Sequence, residues 1–201
     1  MLLSINRDHP EPRKIKRAVD VIRNGGVIAY PTDTVYGLGC DLHNKQAIVR
    51  LHQIKGMDKK KPLAFVCQDL SDISKYAVVD NATYRVLKHH TPGPYTWVLP
   101  ATRDVPRFVM KKQKTVGIRV PDHPVALALV TELGHPIIST TARETDGDPI
   151  QDPWTIDATF PSLDLVVEAD VCGIVPTTVV DLSDGDVTIL REGAGATDAL
   201  V

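Results

Sequence analysis

Four basic residues in this chain stand close to clusters of hydroxyl side chains, and the pairing suggests chemistry on anions. Lys55 closes the stretch "NKQAIVRLHQIK", Arg119 closes "TVGIR", Arg143 follows the run "PIISTTA", and Arg191 ends "VTILR". The hydroxyls come at the ends of apolar runs. "VIAY" leads to Thr32 and Thr34, "PII" leads to Ser139, Thr140 and Thr141, and Thr177 and Thr178 open "TTVVD". Hydroxyls and free backbone N–H groups at strand ends bind phosphate or carboxylate oxygens, and arginine meets the same anions with a two-pronged fork. One such basic residue reads as a surface charge; four at element ends, beside hydroxyl clusters, point to an anion site. The chain has neither GxxxxGK[ST] nor GxGxxG, so neither a P-loop nor a Rossmann phosphate site is expected.

Two lysine runs add to the charge: Lys59, Lys60 and Lys61 in "GMDKKKP", and Lys111, Lys112 and Lys114 in "MKKQKT". They read either as solvated loops or as contacts to a polyanion, ATP phosphates or an RNA backbone. The stretch "GGVIAYPTDTVYGLGCD" carries an apolar run into a turn crowded with small polar residues, where Gly37 and Gly39 suit a close backbone approach. Three cysteines (Cys40, Cys67, Cys172) without short spacing predict neither a disulfide framework nor a zinc site. The histidines show no HxH or HxxxH spacing and read as structural or solvent-facing, so no metal site is expected.

These residues need elements to hold them. A chain of 201 residues, 43% hydrophobic and 24% charged, has the balance of a globular protein with a sizeable core, and it reads as one domain over residues 1–201. A net charge of −2 predicts no polyanion partner, so any nucleic-acid contact must come from a local patch. The N-terminus lacks a signal peptide's apolar core and no run is long enough for a bilayer, so a cytoplasmic protein with no membrane partner is expected. Helical spacing places helices at 12–24, over "NKQAIVRLHQIK", near 70–76, from Asp80 to about Lys88, near 105–111, and over "HPVALALVTEL" with Asp122 as its cap. Strands are expected at 27–30, 63–67, 95–100, 115–120, over "PIISTTA", and at 164–169, 177–182 and 187–191, with a long loop over "RETDGDPIQDPWTID". Helices alternate with strands early and strands dominate late. The fold class is therefore α/β with a mixed parallel and antiparallel sheet.

As an ordered set, "AVDVIRNGGVIAYPTDTVYGLG", "KGMDKKKPLAF", "TPGPYTWVLP", "VGIRVPDHPVA", "PIISTTA", "PTTVVDL" and "ILREGAG" resemble the threonylcarbamoyl-AMP synthase family, also known as the YrdC/YciO family. The resemblance covers nearly the whole chain. It implies a twisted mixed sheet curved around a deep, positively charged groove. It also implies a reaction that joins L-threonine, bicarbonate and ATP, with Mg²⁺ on the ATP, to give threonylcarbamoyl-AMP and pyrophosphate for tRNA modification by partner enzymes.

By the same resemblance Thr32, Arg119 and Thr177 match threonine-binding positions. Lys55, Ser139, Thr141, Arg143 and Arg191 fall on the nucleotide side, and Lys55 and Arg119 carry the catalysis. The chain also departs from the synthases. Their KxR motif is Lys55 with Met57 here, their SxN is Thr141 with Arg143, and the histidine often found after "PL" is missing; these departures are typical of the YciO branch. Arg143 either replaces the missing arginine from the opposite wall or points into solvent. The alternative to a synthase is a non-catalytic binder of double-stranded RNA or tRNA that uses the groove and the two lysine runs. A third reading is an adenylate-forming enzyme for another amino acid.

Overall fold

A computed structural model describes all residues except 59, 60, 62, 111, 145, 146, 199 and 201. The chain runs β1 (Leu2–Ser4), α1 (Pro12–Arg23), β2 (Ile28–Tyr30), β3 (Gly37–Asp41), α2 (Lys45–Lys55), β4 (Ala64–Val66), α3 (Leu70–Tyr76), α4 (Asn81–His90) and β5 (Tyr95–Pro100). It continues through β6 (Thr115–Arg119), α5 (Pro124–Leu133), β7 (Ile137–Thr141), α6 (Pro153–Thr159), β8 (Leu165–Glu168), β9 (Thr178–Asp181) and β10 (Thr188–Arg191). Among the described residues these strands form one sheet, ordered β1-β8-β2-β3-β7-β4-β6-β5-β9-β10. Parallel pairs (β1 with β8, β4 with β6, β5 with β9) mix with antiparallel ones, as in a single-domain α/β fold with a mixed sheet.

Local chemistry explains the helix ends. Asn44 caps α2 by accepting the Ala47 N–H at 3.0 Å, and Gly56 stops it in the left-handed region, which leaves Lys55 as its last residue. Pro124 starts α5 and Gly134 ends it, but its cap position is His123 rather than Asp122. The expected helix near 105–111 is a series of turns where described. Two strands and a helix were not anticipated. β1 pairs with β8, β3 occupies the glycine-rich stretch, and α6 falls in the expected long loop, where Asp152 accepts the Thr155 N–H at 2.8 Å ahead of Pro153.

The two faces of the sheet are covered differently. On one face, Leu38, Cys40, Phe65, Trp97, Leu99, Ile118 and Val180 share a core with α2, α3, α4 and α6. On the other, Ile15, Ala18, Val19 and Ile22 of α1 and Val125, Leu129 and Leu133 of α5 bury Ile28, Tyr30, Ile137, Val66, Leu165 and Val167. This second core contains no residue of β6, β5, β9 or β10. The helical layer stops at β4, and the bare part of that face is where a groove opens.

Candidate functional site

The groove encloses about 1150 Å³, at the upper end for a small-molecule site. Its floor follows from strand register. Directly paired residues share a face, and one row runs Gly39, Ser139, Ala64, Gly117, Val98, Asp181 across β3, β7, β4, β6, β5 and β9. Small side chains dominate this row. At Gly117 an added Cβ would meet nothing closer than 3.6 Å, so its space belongs to the groove. Gly37 and Gly39 behave differently. A Cβ at either would come within 3.0 Å of the fully buried Tyr30 ring, and one at Gly39 would reach 2.6 Å from Ile137. The close approach allowed by the "GLG" segment is therefore made by Tyr30.

In the next row Val66 lies opposite Arg119, while Thr96 lies opposite Val179 and Val179 opposite Arg191. Arg191 reaches this face only because β10 shifts register between Ile189 and Arg191. Strict alternation from Thr188 would turn Arg191 to the other face; the extra residue, Leu190, brings it back. There its Nε and Nη2 donate to the Thr177 carbonyl at 3.2 and 2.7 Å, and Nη2 also donates to the Thr177 hydroxyl at 3.2 Å. That hydroxyl lies 2.8 Å from the Thr96 hydroxyl. Thr177 and Arg191, assigned to different ligands on resemblance, are direct partners.

Arg119 is buried and its Nη2 donates to the Asp33 carboxylate, itself largely buried. Its Nε is buried without a hydrogen-bond partner among the described residues. Asp33 is a site residue not expected from the sequence, where the hydroxyls of "PTDT" dominate; its signal there is an acid between two threonines beside an expected anion site. Thr32 lines the groove, but its hydroxyl donates to the Val35 carbonyl at 2.6 Å and accepts the Thr34 N–H at 3.2 Å. The Thr34 hydroxyl lies 3.3 Å from it as well, so its proton and both lone pairs are engaged within the turn. Ser139 is similarly committed. It accepts from the Tyr30 hydroxyl at 2.8 Å and donates to the Leu38 carbonyl at 3.2 Å, whereas the Thr141 hydroxyl has no such partner among the described residues.

Lys55 also lines the groove. It is only 6% exposed, and its Nζ has no hydrogen-bond partner among the described residues. Burial, and then the charges of Arg143 and Lys61, push its pKa down from 10.5 to about 8. Arg143 is exposed and lines the groove. Its charge acts on Arg191 too, which burial and then Arg143 lower from the ordinary value. Arg143 thus sits within electrostatic reach of Lys55 on one side and Arg191 on the other. The second hydroxyl-rich strand end, the end of α2 and the β10 bulge converge on this one place.

Of the lysine runs, Lys61 and Lys112 line the groove and Lys114 is exposed outside it. Lys59, Lys60 and Lys111 lie outside the described residues. Of the histidines, His52 lines the groove, and His123 is 1% exposed with no hydrogen-bond partner for either ring nitrogen among the described residues. The three cysteines are free and buried. No group of three or more His, Cys, Asp or Glu side chains among the described residues could hold a metal ion, and no helix there is long and apolar enough to cross a membrane.

The comparisons with known proteins agree with this architecture. A family model described as telomere recombination, the Sua5/YciO/YrdC domain, matches residues 20–193. The chain belongs to the Sua5/YciO/YrdC family. YciO of Escherichia coli (strain K12) is 40% identical over 197 residues, 95% of this chain and 94% of that protein. The crystal structure of E. coli YciO covers 100% of this chain and 99% of its own with a TM-score of 0.96 at 38% identity. The threonylcarbamoyl-AMP synthase of Nitrosococcus oceani is 38% identical over 156 residues, 77% of this chain and 84% of that protein. P. abyssi Sua5, crystallised with L-threonine, matches with a TM-score of 0.93 at 26% identity; the match covers 100% of this chain but 59% of Sua5. Among Sua5/YciO/YrdC relatives, threonylcarbamoyl-AMP synthase is thus a recurring name.

Proposed function

We propose that the groove binds L-threonine, bicarbonate and ATP and joins them into threonylcarbamoyl-AMP, with release of pyrophosphate. The observation that carries this reading is the division of one groove into two kinds of cationic site. Arg119, oriented by Asp33, offers a fork for a carboxylate in the wall that Thr32 also lines. Lys55, Arg143 and Arg191 form no ion pair among the described residues and offer positive charge for phosphates. The synthase names of relatives and the L-threonine bound to Sua5 support the same substrates.

In this reading the threonine nitrogen bonds to the bicarbonate carbon and water leaves, giving a carbamate. A carbamate oxygen then attacks the α-phosphorus of ATP, and the bond to pyrophosphate breaks. The carbamate is short-lived in water, so its formation beside the nucleotide in a recess is what the groove provides. Positioning and cations on the phosphates carry most of the rate. Magnesium enters as the triphosphate's partner, since the described residues form no ligand set of their own for it. Arg143 supplies, from the β7 end, the guanidinium that Met57 does not supply from the α2 end. A cytoplasmic location and hand-over to tRNA-modifying partner enzymes complete the reading.

Incubation with ATP, bicarbonate and L-threonine, scored for pyrophosphate and for the adenylate, tests the reaction. Threonine-dependent release of both products is expected, and ATP turnover indifferent to threonine overturns it. Turnover with a different amino acid would point to the related adenylate-forming reaction. One observation favours a second reading, binding of double-stranded RNA or tRNA: Lys61 and Lys112 both line the groove. RNA affinity that falls steeply with salt, and less steeply in a Lys61→Ala, Lys112→Ala variant, would support it.

A further inference from the structure

Among the described residues that line the groove there is one acid, Asp181, set among Lys55, Lys61, Lys112, Arg119, Arg143 and Arg191. It pairs with none of them. One carboxylate oxygen, Oδ1, accepts the Ser183 N–H at 2.8 Å, which fixes the group's direction, and no side chain among the described residues reaches it. Register explains the isolation. Asp181 is opposite Val98 on one side and Thr188 on the other, and Gly117 lies beyond Val98. Arg191, brought onto this face by the β10 bulge, pairs with Val179, two residues back along β9. At about 3.3 Å per residue the two positions are roughly 7 Å apart along the strand. The 6%-exposed, unpartnered Lys55 Nζ separately marks the groove as built around a ligand.

A ligand held at the cations and at Asp181 must carry an anion at one end and hydrogen-bond donors a short distance away. The ammonium of an α-amino acid held at Arg119 does not fit, because β6 and β9 are separated by β5, roughly 10 Å at about 4.8 Å per strand. A metal held by Asp181 would take its other ligands from phosphates and water, and Arg191, one of the cations proposed to hold the phosphates, lies roughly 7 Å away along the strand. An uncharged pair of vicinal hydroxyls does fit. It gives two donors to one carboxylate, is not repelled by the neighbouring cations, and lies a few bonds from a 5′-phosphate.

We propose that Asp181 binds the ribose 2′- and 3′-hydroxyls of the nucleotide whose phosphates lie at Lys55, Arg143 and Arg191. The inference rests on the nucleotide reading above and adds the sugar as what the groove reads. Val98, Val179 and Leu190 flank the position with apolar surface for the sugar ring.

Calorimetry with ATP, 2′,3′-dideoxy-ATP and inorganic tripolyphosphate tests it on the parent and on Asp181→Asn and Asp181→Ala. The Asn variant keeps an acceptor for Ser183 and guards against loss of fold. The parent should bind ATP about tenfold or more tighter than dideoxy-ATP, the range of hydrogen bonds to a charged group. Asp181→Ala should bind both alike, with tripolyphosphate affinity equal to the parent's or higher because a negative charge has left the groove. A parent that binds ATP and dideoxy-ATP equally overturns the ribose assignment and leaves the nucleotide reading standing, as does an Asp181→Ala variant that weakens all three ligands by one factor. A parent that binds tripolyphosphate but no ATP overturns both.

Discussion

Arg119 and Lys55 are buried cations of the same groove, and the protein treats them in opposite ways. Arg119 is held by Asp33 and is close to neutral as a pair. Lys55 has no hydrogen-bond partner among the described residues, and burial with the nearby Arg143 and Lys61 charges lowers its pKa to about 8. A buried charge with no partner costs stability, so its retention at a groove wall implies that a ligand brings the counter-charge. The Arg119 pair is instead preoriented, which suits a small zwitterion that needs direction more than charge. In the proposed function the amino acid takes the first place and the polyanion the second.

The largest expected effect separates the two places. Arg119→Ala removes a charge-assisted bond and leaves Asp33 unpaired, and should cost about 2–3 kcal/mol in threonine affinity by calorimetry. Loss of equal size in ATP affinity would break the contrast.

Lys55→Met should weaken ATP about thirtyfold, on the order of 2 kcal/mol, and it carries a pH signature. In the folded chain the ammonium loses its proton near pH 8, whereas its ordinary value is 10.5. The unfolded chain therefore binds the proton more tightly between those values, and stability should rise as pH increases from about 8 to 10.5. ATP affinity should fall over the start of the same interval. Thermal melting across that range, flattened in Lys55→Met, checks the first statement, and a pH series of titrations checks the second.

Arg143→Ala should weaken ATP by about tenfold, on the order of 1.4 kcal/mol. Met57→Arg combined with Arg143→Asn should restore the affinity and raise pyrophosphate release. An Arg143→Ala variant with parental ATP affinity, together with improvement from Met57→Arg alone, would show that Arg143 compensates for nothing. The smallest effect concerns salt. ATP binding at the unpaired cations should weaken as ionic strength rises, while threonine binding at the Asp33–Arg119 pair should change little.

Much of this arrangement was legible in the sequence, because chemistry and position coincided at element ends. Lys55 ends α2 where Gly56 said a helix should stop, and Arg119 ends β6. What escaped depended on contacts made far along the chain. β3 was hidden because Gly37 and Gly39 read as a turn; they are strand residues whose missing side chains leave room for Tyr30. β1 is a three-residue strand whose reason for being is its pairing with β8. The facing of Arg191 depends on a bulge that the period-2 pattern does not announce. α6 does carry a local signal, since Asp152 followed by Pro153 is a helix start. At the site, residue types alone made Ser139 and Thr141 equivalent hydroxyls. The fold spends the first on Tyr30 and Leu38 and leaves the second open.

The most direct test of two separate cation sites in one groove is a crossed titration. The parent, Arg119→Ala and Lys55→Met are each titrated with L-threonine and, separately, with ATP. The account predicts that Arg119→Ala loses threonine and keeps ATP, while Lys55→Met loses ATP and keeps threonine. Equal losses of both ligands in both variants, or a parent that binds neither ligand, would contradict it.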